Sequence, residues 1–200
     1  MGMRGHKLAL WTAALWIAGS FGATASEPFM ATGGRTTQPV GHYEFCRRLP
    51  DECAVRTERL HPVELTRKLW KDIVQVNHAV NTSVAPRTDY EMWGREEYWS
   101  YPETVGDCED YVLEKRRRLM QAGVPASNLL VTVVRQPNGD GHAVLTVETH
   151  LGDFVLDNLE PLVLPWAETN YSFLKRQSSR NSGEWVSIQD GRSTSVASVQ

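Results

Sequence analysis

The chain has 200 residues, a length that suits one domain with a substantial core. Its 21 Lys and Arg stand against 24 Asp and Glu, a net charge of −3, with none of the basic excess that nucleic-acid binding demands. Seven tryptophans favour a well-packed domain with an aromatic-rich groove.

In chain order, residues 1–25 read as an export signal. Arg4 and Lys7 form a basic start, and 8–22 (LALWTAALWIAGSFG) is an apolar stretch short for a bilayer span. Ala23-Thr24-Ala25 fits the small-residue cleavage pattern, which predicts a cut before Ser26. The competing reading is an uncleaved N-terminal anchor. Cleavage would leave 19 basic against 24 acidic residues, a charge of −5, and would place the mature protein in the periplasm.

Residues 26–41, rich in Gly, Thr and Pro and without periodicity, predict a flexible mature N-terminus. Cys46 and Cys53 lie in FCRRLPDEC. In an oxidising compartment this pair can close a small disulfide loop; a metal site is the rival, with no further ligand spaced nearby. Leu65, Leu69, Ile73, Val76 and Val80 recur at helical spacing and predict an amphipathic helix over 60–82, starting at His61-Pro62. Residues 85–106 (APRTDYEMWGREEYWSYPETVG) are aromatic and acidic without a clean period, and read as an ordered, partly helical loop region.

The next helix begins near Cys108, with Asp107 at the N-cap, Glu109 and Asp110 in the first turn, and Lys115 to Arg118 further along. Gly123 and Pro125 stop it. Three strands follow, at 128–135 (NLLVTVVR), 142–149 (HAVLTVET) and 154–157 (FVLD). The turn PNGDG separates the first two, and a hairpin at 150–153 joins the last two. Residues 191–200 are Ser-rich and read as a disordered tail. The domain proper is therefore 42–190.

A cysteine at a helix start has its sulfur beside unsatisfied backbone N–H groups, which favour the thiolate and can hold an oxyanion. His142, opening a strand, can take the thiol proton if it faces that helix end. Asp157, ending the adjacent strand, can orient the imidazole. That is the nucleophile, base and orienter of acyl-transfer chemistry. Each residue also has a plainer reading: Cys108 as a buried apolar side chain, His142 and Asp157 as turn residues.

GDCEDY, GHAVLTV and FVLDN, with WG-REEYW and FC-x6-C upstream, resemble the bacterial transglutaminase-like cysteine proteinases, which include the LapG-type periplasmic proteases. The resemblance covers about 42–188. It implies an α+β fold of papain-like/transglutaminase-like type, with the catalytic Cys at a helix N-terminus packed on an antiparallel sheet that carries His and Asp. It implies a triad of Cys108, His142 and Asp157, and calcium held by Asp107, Glu109 and Asp110. It also implies a protein substrate, a large surface adhesin whose cleavage releases biofilm cells, and a cyclic di-GMP-sensing inner-membrane receptor as regulator. Alternatives of the same fold are an acyltransferase or a cell-wall peptide amidase; a catalytically silent binding module is a third reading. Asn77 is a candidate side-chain oxyanion donor.

Three acids around a nucleophilic thiol oppose ionisation of the sulfur. The helix dipole offsets part of this, and a bound cation would neutralise the rest. The plainer reading leaves the acids as N-cap and solvated first turn.

Overall fold

The computed structural model describes residues 1–2, 27–58 and 60–190. The expected signal segment beyond its first two residues, the cut before Ser26 and the tail 191–200 lie outside the described residues. No helix among the described residues is long and apolar enough to cross a membrane.

The elements run in the order β1 (Thr32–Thr36), α1 (Val40–Arg48), a 3₁₀ turn at Pro50–Cys53, α2 (Arg67–Ser83), β2 (Ala85–Pro86), α3 (Asp89–Trp93), β3 (Val105–Gly106) and α4 (Cys108–Gln121). Then come β4 (Leu129–Arg135), β5 (Gly141–Thr149), β6 (Gly152–Leu156), β7 (Leu164–Pro165), β8 (Ser172–Ser178) and β9 (Asn181–Ile188). Seven strands form one antiparallel sheet in the order β1-β9-β8-β4-β5-β6-β7. β2 and β3 pair in parallel just before α4 and fix where that helix begins.

The sheet has a core on each face. Ile73 of α2 and Val112 and Leu119 of α4 pack with Val131, Leu145, Val147 and Leu156 of the sheet and with Phe45, Trp99 and Trp185. Each such side chain, fully buried, contributes about 1.5–3 kcal/mol. Met30, Val134, Val144, Val155, Trp166 and Phe173 form the second core. The β5–β6 turn reverses the chain at Gly152, whose φ of +133° and approach to the Pro28 carbonyl exclude a side chain.

Two expectations change. The segment 26–41 is not wholly flexible: β1 lies within it and pairs with β9, with Thr36 opposite Trp185. Its four exposed residues of five carry no periodic signal, because an edge strand buries little. The helix expected over 60–82 starts seven residues later. Thr66 caps it, its hydroxyl accepting the Leu69 N–H at 3.1 Å, while Val63 before it bridges to Thr149 in extended form.

Cys46 and Cys53 form a disulfide, Cα atoms 5.6 Å apart, which leaves Cys108 as the free thiol. His42 is buried beside the bridge and takes the Trp185 indole N–H on Nδ1 at 3.1 Å. Burial, and then the charge of Arg116, lower its pKa to about 3.

Candidate active site

Cys108 is the first residue of α4, so its backbone N–H belongs to the helix end without intrahelical partners. It lines a groove of about 670 Å³ together with His142 and Ala143, the first residues of β5 after Gly141. Val40, Tyr90 and Trp99 give the groove its apolar wall, and Glu96 and Glu97 make its rim acidic. The Ala143 backbone N–H is directed at the Cys108 sulfur, so the strand start and the helix start meet there.

The β5–β6 pairing brings the second half of the site together. It ends at Leu145 opposite Leu156, and Asp157 follows directly. His142 Nε2 lies 2.8 Å from Asp157 Oδ1, with both residues buried. The backbone N–H of Leu159 donates to the same oxygen at 3.0 Å, and the Tyr171 hydroxyl donates to Oδ2 at 2.5 Å. Burial pushes the Asp157 carboxyl up, but these bonds, led by His142, outweigh it and hold it below the usual range. Asn81 of α2 donates to the Asp157 carbonyl at 2.7 Å, fixing the backbone as well. With Nε2 committed to Asp157, Nδ1 is the nitrogen left to exchange a proton with sulfur.

Asn77, the expected oxyanion donor, lies elsewhere. It is fully buried, its amide donates to the Pro161 carbonyl at 3.2 Å, and it does not line the groove. The Cys108 and Ala143 N–H groups are the donors the structure sets beside the sulfur.

The acids around the thiol divide in two. Asp107 and Asp110 meet Asp89 of α3, with one ligand oxygen from each within 4.8 Å of the others. Glu109 turns instead to the thiol, whose Sγ–H donates to its Oε2 at 2.7 Å. Asp107 occupies the N-cap position without a capping hydrogen bond, because its carboxyl faces this cluster. Burial first, then Glu109 and Asp89, raise its pKa to about 8. Asp110 is raised to about 8 by burial and by Asp107 and Asp89, against the pull of Ser100. Burial, then Glu109, push the Cys108 thiol well above its ordinary value, while the Ala143 N–H acts the other way.

These acids also hold the loop that walls the groove. Asp89 accepts the Tyr98 N–H, and Asp110 accepts the Ser100 N–H at 2.7 Å. One buried oxygen on Asp89 and one on Asp107 have no hydrogen-bond partner among the described residues. An all-carboxylate oxygen cluster with orphaned, inward oxygens fits a hard divalent cation such as calcium. Asp89, Asp107 and Asp110 would hold it, with Glu109 beside Asp107.

Nucleophile at a helix start, and base and orienter on an antiparallel sheet, define a thiol hydrolase of the papain and transglutaminase type. Residues 32–193 match the bacterial transglutaminase-like cysteine proteinases (BTLCP); the chain belongs to that family and is a cysteine protease. Among solved structures, calcium-bound Legionella pneumophila LapG is similar at 21% identity and a TM-score of 0.52, covering 82% of this chain and 87% of that one. EGTA-treated L. pneumophila LapG matches at 22% identity and 0.51, covering 80% and 87%. The fold is thus transglutaminase-like, as the sequence resemblance implied. No curated protein sequence matched the chain.

Asp89, Asn81 and Tyr171 were not legible as site residues. Asp89 sits in T-D-Y-E, where Thr88 and Glu91 form a reciprocal capping box, and it reads there as a first-turn acid. Its burial at 2% exposure is what marks it out.

Proposed function

We propose that this protease is a calcium-dependent endopeptidase that works after export to the periplasm. Its substrate in this reading is a large surface adhesin cut in biofilm control, and its regulator a cyclic di-GMP-sensing membrane receptor. The observation that carries the endopeptidase reading is the free Cys108 opening on the same groove as the 2.8 Å His142–Asp157 pair. The acid cluster supports the calcium dependence, and one similar structure is described as calcium-bound LapG. The export signal and the motif resemblance support the compartment, the adhesin and the receptor.

In the reaction Cys108 attacks the scissile carbonyl as its proton passes to His142. The Cys108 and Ala143 N–H groups hold the oxyanion. His142 then protonates the leaving amine, and water, activated by the same imidazole, releases the acid product. Asp157 keeps the ring oriented throughout. Bound calcium supplies positive charge that lets Asp89, Asp107 and Asp110 stay ionised and weakens their field at the sulfur.

The test compares the secreted and surface proteomes of cells carrying the wild-type chain, Cys108→Ala or His142→Ala. Both variants should fold and leave the substrate uncut. Mass spectrometry of the products separates the chemistries: water incorporation marks hydrolysis, isopeptide products mark transfer. Full cleavage by a folded Cys108→Ala protein would end the reading.

A further inference from the structure

Lys115 is wholly buried in α4, and its ammonium makes no hydrogen bond among the described residues. It stands seven residues after Cys108 and four after Tyr111, so all three share a helix face. Long helical side chains lean toward the N-terminus, which carries the ammonium toward the Cys108 end. There it lies 5.9 Å from the Tyr111 ring centroid, whose hydroxyl is occupied by the Val84 carbonyl at 2.6 Å.

The charged group that acts on Lys115 is Asp157, at the end of β6. The adjoining helix α2 presents neutral amides on its inner side, Asn77 to Pro161 and Asn81 to the Asp157 carbonyl. The neighbouring charges on α4 are committed elsewhere: Glu114 pairs with Arg117 and Arg118, and Arg116 pairs with Glu52. The three donors on the Asp157 carboxylate exclude a direct ammonium contact as its main support, so Lys115 acts on it through space.

A buried ammonium without hydrogen bonds is costly to a fold, and an apolar chain of the same length would serve the packing better. Its place is explained by the charge it brings. We propose that Lys115 is a positioning residue of the protease: its positive charge behind Asp157 balances the carboxylate, so that Asp157 orients His142 without drawing a proton onto the imidazole. The proposal rests on the Cys108–His142–Asp157 reading. Burial lowers the pKa of Lys115 to about 7, against the pull of Asp157, so the charge it supplies is present on the acid side of neutrality and fades above it.

The experiment uses the mature protein in calcium and follows the imidazole signals by NMR, with His142 assigned through His142→Gln. Removing the charge in Lys115→Met should raise the His142 pKa by about one unit, the size expected for a charge several ångströms away in the interior. Alkylation of Cys108 by iodoacetamide at pH 7 should slow about tenfold, since more of the base is protonated. The Tm should equal or exceed that of the wild type, because the buried charge is gone. Lys115→Arg keeps the charge and should titrate as the wild type does.

A folded Lys115→Met protein with an unmoved His142 pKa overturns the proposal, whatever its Tm. If the Met variant does not fold, Lys115→Gln is measured in the same way and decides. The underlying triad reading fails separately, and visibly, if His142→Ala leaves the alkylation rate of Cys108 at the wild-type value.

Discussion

Replacing Gly106 by alanine adds one methyl group at the tightest point of the site. The new Cβ would stand 2.8 Å from Asp110 Cβ, 3.0 Å from Asp110 Oδ2 and 3.2 Å from Pro102 Cβ. Carbon atoms in contact prefer about 3.5–4.0 Å, so Asp110 must retreat by close to 1 Å. It has nowhere to go without loss: it is fully buried, and its Oδ1 holds the Ser100 N–H at 2.7 Å. Overpacking of this kind costs about 1–3 kcal/mol, which for a domain of this size lowers Tm by roughly 3–10 °C. Asp110 is also one of three carboxylates in the candidate calcium cluster. Disturbing a ligand's placement weakens a metal by about 10–100-fold, or about 1.4–2.7 kcal/mol. Isothermal titration with calcium should show the weaker binding, and Tm measured in calcium and in EGTA should show a smaller calcium-linked increment. A Gly106→Ala protein with wild-type calcium affinity and wild-type Tm would refute both the steric account and the place of Asp110 in the cluster.

Two further outcomes follow from the same contacts. Tyr171→Phe removes the 2.5 Å hydroxyl donor to Asp157 Oδ2 but leaves His142 and Leu159 on Oδ1, so kcat/KM should fall about tenfold with KM little changed; an unaltered kcat would remove Tyr171 from the triad's support. The second outcome concerns pH. His42 has a folded pKa lowered to about 3, so the unfolded chain binds a proton below about pH 6.5 that the native state refuses. Stability should therefore be full above pH 6.5 and drain away as pH falls toward 3, by up to about 4–5 kcal/mol. Protonation would aim an N–H at the Trp185 indole donor, which is why the fold resists it. Urea melts of wild type and His42→Gln across that range check this; equal pH slopes would show that His42 is not the group responsible.

The residues that were readable from the sequence share one property: their evidence is local. Asp107-Cys108-Glu109-Asp110 announces a helix start within four residues, and the alternating, branched runs of β4 and β5 announce strands, so Cys108 and His142 could be placed on their elements. Asp157 was within reach because the β5–β6 hairpin is short. What escaped was assembled over distance. Asp89 joins Asp107 from another helix, and Tyr171 reaches Asp157 across a loop, with no periodicity to betray either. The β8–β9 hairpin escaped for a different reason: polar Arg176 and Gln177 are buried in β8, satisfied by Glu148 and by the Val131 and Ser182 backbones, and so imitate a solvated segment. Glu109 looked like a cation ligand by its neighbours alone; only the side-chain geometry shows it turned to sulfur.

That bond has a consequence for the chemical durability of the enzyme. While the Cys108 thiol donates to Glu109 at 2.7 Å, the proton stays on sulfur. Peroxides attack the thiolate, and each step of the ladder from sulfenic to sulfonic acid starts there. The acids that seem to spoil a nucleophile thus act as a preservative. They keep the unpaired thiol out of oxidative reach between turnovers, at the expense of speed until His142 takes the proton.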